Sequence, residues 1–161
     1  KPKIAFTDIN QDGTKDLLVT IHPVGEAKEA VKGYALTVKG TKLLDLEIPD
    51  PVAIESSFNN GYTATLKIGQ KSVEIDMKSM KDKYEELGIY QNGKLNEPME
   101  MLIGTYSSLK PVYTVRGKGI EGVQRVSGAF EDDLVGEIRS VWLMDGSGWK
   151  LEKVFFKKNV K

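Results

Sequence analysis

Apolar and polar residues alternate with a period of two over residues 34–39, 62–68, 72–77, 123–126, 138–143 and 149–154. Successive side chains of a β-strand point to opposite faces, so this period predicts half-buried strands. Turn signals separate the runs: Lys39-Gly40-Thr41, Gly69-Gln70-Lys71, Asn92-Gly93 and Asp145-Gly146-Ser147-Gly148. Asn-Gly and Asp-Gly supply the positive φ angles of tight hairpins. The pattern predicts a mainly β protein of antiparallel strands and hairpins. One short helix interrupts it, with Ser79 as N-cap, Asp82 in the first turn and Gly88 as terminator. Residues 26–31 have helical propensity but lie between two strand patterns, and read equally as a loop or a single turn. Pro49-Asp50-Pro51 reads as a turn.

Two regions share one order of events. Residues 1–48 and 110–156 each read strand, polar loop, strand, hairpin, with an insert between them. In the second region Gly117-Lys118-Gly119-Ile120-Glu121-Gly122 takes the place of the first polar loop. It matches G-x-G-x-x-G, but the residues that follow read as a strand, whereas a dinucleotide site needs a helix there. A turn that has lost its carboxylates, Glu121 apart, is the expectation. The chain is read as one β-rich domain over 1–161, long enough for a hydrophobic core.

The first polar loop carries the strongest chemical signal. Asp8, Asn10, Asp12 and Asp16 occupy positions 1, 3, 5 and 9, with Gly13 at position 6 and the carbonyl of Thr14 at position 7. That is most of the ligand schedule of an EF-hand loop. A hard divalent cation takes six to eight oxygens, and alternate residues of a tight loop can turn them inward. Three carboxylates so close together repel one another unless a cation lies between them. Position 12, a bidentate glutamate in an EF-hand, is Val19 here, inside the apolar run of residues 17–21. The expected element is therefore a calcium loop between strands, with Asp8, Asn10, Asp12, Thr14 and Asp16 as ligands.

At these residues the sequence resembles a known family. "FTDINQDGTKDLLV" is similar to the FG-GAP or VCBS-type repeat, D-x-N/D-x-D-G-x-x-D followed by a strand. "KYEELGIYQNGKLNEPMEMLIG" and "GVQRVSGAF" resemble segments of exported VCBS-repeat proteins of Gram-positive bacteria, a group that brings no activity to transfer. The resemblance implies calcium-stabilised β structure of the β-propeller kind. A closed propeller needs four or more blades of about 40–50 residues. A partial propeller or a two-sheet assembly is the expectation here.

Composition narrows the function. Lysine plus arginine equals aspartate plus glutamate, 23 each, and the formal net charge is zero. Nucleic-acid binders carry a basic excess, so that class is disfavoured. No apolar run approaches the roughly 20 residues of a membrane-spanning helix. There is no cysteine, hence neither a disulfide nor a thiolate metal site. His22 is the sole histidine and has no G-x-S-x-G partner motif. Glu131-Asp132-Asp133 and Glu85-Glu86 read as solvated surface, and Trp142, Trp149, Phe155 and Phe156 as a mixture of core and surface.

The expectation is a non-catalytic, calcium-stabilised extracellular or cell-surface module for protein or cell-wall glycan interaction. Millimolar extracellular calcium suits a weak site. A first residue of lysine rather than methionine is read as a trimmed or mature start. Two rivals stand beside it: a secreted hydrolase using an acidic pair with calcium as scaffold, and a calcium-dependent sensor.

Overall fold

The computed structural model describes residues 1–22 and 31–159. It is mainly β, as the alternation predicts: thirteen strands in four antiparallel sheets and one short α-helix among the described residues. The helical propensity of residues 26–30 lies outside the described residues.

The chain divides into two compact units. Unit 1 comprises Lys1–Val52, Gly104–Arg125 and Gly136–Lys161, and unit 2 comprises Ala53–Ile103 and Val126–Val135. Pro49-Asp50-Pro51 forms no turn and has no regular structure; it lies just before this division.

In unit 1 the strands β1 (Lys3–Thr7), β2 (Asp16–Ile21), β3 (Lys32–Lys39) and β4 (Lys42–Leu46) form a meander in chain order. Register follows the alternation: Ala5 pairs with Leu18, Leu18 with Ala35 and Ala35 with Leu46. That row meets Ile9, Tyr106, Leu109, Ile120, Ile48 and Trp149 in one core cluster. The Trp149 indole N–H donates to the Glu47 carbonyl at 2.5 Å, so its polar end is satisfied while its ring packs.

In unit 2 the strands β5 (Glu55–Asn59), β6 (Thr63–Ile68) and β7 (Lys71–Asp76) form a second meander. Ala64, Leu66 and Ile68 are buried on alternate positions of β6. A 3-10 turn (Lys78–Met80) leads into α1 (Lys81–Glu86), followed by the hairpin of β8 (Tyr90–Gln91) and β9 (Lys94–Leu95). Asn92 and Gly93 both take positive φ, 52° and 79°, as a two-residue hairpin of this sequence requires.

Ser79 is not the N-cap. The cap of α1 is Met80, without a side-chain hydrogen bond; Asp76 instead accepts the Lys78 N–H at 2.8 Å and starts the preceding 3-10 turn. Gly88 does terminate the helix, with φ +72°. Its N–H donates to the Glu85 carbonyl at 3.0 Å and that of Ile89 to Tyr84 at 2.9 Å, the paired bonds of a Schellman end.

The last four strands, β10 (Leu102–Thr114), β11 (Gly117–Ser127), β12 (Leu134–Met144) and β13 (Trp149–Lys158), also lie in chain order. Here a second expectation fails. Residues 117–122 are no loop but the first half of β11, and the turn is Val115-Arg116. The glycines serve packing: a Cβ at Gly122 would enter the Tyr106 ring, and one at Gly119 would enter the Trp142 carbonyl. Glu121 is held between Lys110 at 3.0 Å and Arg139 at 3.6 Å across the neighbouring strands.

Candidate functional site

The five residues expected to hold a cation lie on the loop between β1 and β2. Asp8 follows β1 directly and Asp16 opens β2. Gly13 takes φ +87° with open space around it, which is the sharp turn the spacing requires. Gln11 also takes a positive φ, 62°. Its amide donates to the Met144 carbonyl at 3.1 Å, and this bond ties the loop tip to β12.

The loop's carboxylates are folded onto its own amides. Asp8 accepts the N–H groups of Asp12 and Gly13, both at 3.0 Å. Asp12 accepts the Thr14 N–H at 2.8 Å and the Asn10 side-chain amide at 3.0 Å. The Thr14 N–H, and after it the Asn10 amide, hold the Asp12 carboxyl below its ordinary range. The Asn10 amide also donates to Thr37 Oγ1 on β3 at 3.1 Å. Neither Gln11 nor Thr37 is part of the ligand spacing, so that pattern gives no sign of their supporting roles.

Asp16 differs from the rest. It is 1 % exposed. Its Oδ2 accepts the N–H groups of Ile9 at 2.8 Å and Asn10 at 3.2 Å, while its Oδ1 is buried with no hydrogen-bond partner. A buried carboxylate oxygen left unpaired costs about 1–3 kcal/mol or more.

In this arrangement no three acidic or histidine side chains among the described residues are gathered closely enough to hold a metal ion between them. The oxygens are nevertheless compatible with a hard cation. Each carboxylate oxygen has two lone pairs, so an N–H bond to one leaves the other free. Asp16 Oδ1 is unengaged altogether.

In each of the other carboxylate clusters one member has a structural partner, while Glu131, Asp132 and Glu86 are exposed, as expected. Asp133, expected at a solvated connection, is buried and accepts the Tyr84 hydroxyl inside unit 2; a Cβ at Gly128 would collide with both groups. Glu85 accepts the Tyr62 hydroxyl at 2.5 Å and the N–H groups of Asn92 and Gly93 at 3.2 Å. His22 follows β2 and is half-buried. No described helix is long and apolar enough to cross a membrane.

No curated protein and no solved structure matches the chain. A family model does match, over residues 52–157, starting where the first stretch of unit 1 ends. The loop from Asp8 to Asp16 lies ahead of the matched segment, so this likeness carries no information about it. With more than half of its length matched, the chain belongs to the YybI C-terminal domain family.

Proposed function

We propose that this chain is a non-catalytic, calcium-stabilised module of the cell surface or extracellular space, joined to a protein or glycan partner, and that its β1–β2 loop is a VCBS-type calcium loop. The observation that carries the calcium reading is Asp16 Oδ1, a buried carboxylate oxygen with no partner, at the end of a loop bearing three further side-chain oxygen ligands. A calcium ion would be held by Asp8, Asn10, Asp12, Asp16 and the Thr14 carbonyl. It would offset two of the three negative charges and relieve the unpaired oxygen. Its role is to fasten β1 to β2. The missing glutamate at position 12 favours such a staple over a sensor, because that residue completes the bidentate coordination of an EF-hand. The extracellular assignment rests on the VCBS resemblance and on the calcium supply a weak site needs.

Titration calorimetry with calcium, and separately with magnesium, tests this reading on the whole chain and on Asp12→Ala. Calcium heat in the parent chain that is absent from the variant supports it. No heat in either would remove both the calcium and the argument for the compartment.

A further inference from the structure

One face of the β1–β4 sheet packs into the core of unit 1; the opposite face is apolar as well. Register places Phe6, Leu17, Leu36 and Asp45 in one row across the four strands, and Ile4, Val19 and Tyr34 in the next. Ile21 and Lys32 make the third row, and Val38 with Leu43 continues the face beyond the first. Ile4, Phe6, Ile21, Tyr34, Val38 and Leu43 are 37–68 % exposed. A sheet with one solvated face normally alternates apolar with polar residues. Here β2 reads Leu17-Leu18-Val19-Thr20-Ile21, the composition of a strand covered on both sides.

We infer that this face is a self-association surface, closed by the same face of a second copy of this chain in a two-fold, sheet-on-sheet dimer. Area is the first argument. At about 200 Å² for a fully exposed large side chain, the six residues present roughly 600 Å² of apolar surface, of which Ile4, Phe6, Ile21 and Tyr34 in the three registered rows supply roughly 450 Å². Two copies that face each other through those rows bury about 900 Å², the size of a weak, reversible association, and the whole patch is about 600 Å². Patches of this size are also at the top of what monomers expose.

Charge is the second argument. Lys32 and Asp45 are the charged residues of the three registered rows, and they sit in the third and first rows respectively. A two-fold axis lying across the strands along the middle row, Ile4–Val19–Tyr34, exchanges the first and third rows. It carries Lys32 of each copy over the Leu36 position of the other, one strand spacing (about 4.8 Å) from Asp45. Two symmetric Lys32–Asp45 pairs then flank the apolar centre, as a self-complementary isologous contact requires. The zero net charge of the chain leaves no long-range repulsion between copies.

Sedimentation equilibrium of the whole chain between about 1 and 100 μM, the span of micromolar association, tests the inference. The parent chain should approach the dimer mass, whereas Phe6→Lys and Tyr34→Lys should stay monomeric with an unchanged thermal melt, because both side chains are exposed. Lys32→Asp should weaken association by about tenfold, and adding Asp45→Lys should restore it. A parent chain that stays monomeric throughout overturns the inference. So does a dimer that survives Phe6→Lys and Tyr34→Lys, or a double charge reversal that restores nothing.

Discussion

The Tyr84 hydroxyl donates to the Asp133 carboxylate within unit 2, and both side chains are buried although 49 residues separate them. Burial first, and then the carboxylate, push the Tyr84 hydroxyl far above the ordinary tyrosine range, so the tyrosine is the donor at every pH of interest. The rings of Phe58 and Tyr90 pack against Tyr84, edge-on and stacked, at 5.8 and 6.1 Å between centroids. Tyr84→Phe keeps this packing but leaves Asp133 buried without its donor. Denaturant titration should show a loss of about 1–3 kcal/mol. An unchanged midpoint would mean that another donor reaches Asp133.

Glu85 links α1 to the β8–β9 hairpin through the Tyr62 hydroxyl and the Asn92 and Gly93 amides. The Tyr62 bond is the largest cause that holds the Glu85 carboxyl below its ordinary value; the two amides assist. A depressed folded-state value means that this link contributes at neutral pH. The contribution is lost as the pH falls through the lowered pKa. Amide resonances of Asn92 and Gly93 should therefore shift only well into the acid range. In Tyr62→Phe they should shift at a higher pH, nearer an ordinary glutamate. Identical midpoints in the two proteins would remove Tyr62 as the cause.

Gly88 ends α1 in the left-handed region, with nothing near it to exclude a side chain. Conformation alone therefore sets the cost of Gly88→Ala, about 1 kcal/mol. A thermal melt should fall by a few degrees, roughly 2–4 °C for a chain of this size. A rise in melting temperature would show that the Schellman end is not kept in solution.

These positions also show what the sequence could and could not disclose. Strand alternation, the Asn92-Gly93 turn and Gly88 depend on local backbone chemistry, and all three were legible. The N-cap was not: Ser79 lies inside a 3-10 turn whose Lys78 N–H is taken by Asp76, and α1 starts only after Met80. Gly117, Gly119 and Gly122 carry a loop's composition, yet they lie in β11, where the Trp142 carbonyl and the Tyr106 ring leave no room for a side chain at Gly119 and Gly122. Asp133 looked solvated because its donor is far away in sequence. The oxygen loop was legible as a motif, including Gly13. Its supports from Gln11 and Thr37, and the unpaired oxygen of Asp16, emerge only from folded geometry.

The calcium claim is tested most directly by melting the whole chain in calcium and in EGTA, beside Asp12→Ala under the same conditions. At a hundredfold excess over its dissociation constant, calcium binding only the folded state adds about 2.7 kcal/mol. For a chain of this size that is a rise of about 5–10 °C. The account predicts this rise in the parent protein and its absence in Asp12→Ala. Equal melting temperatures with calcium and with EGTA in the parent protein would contradict it.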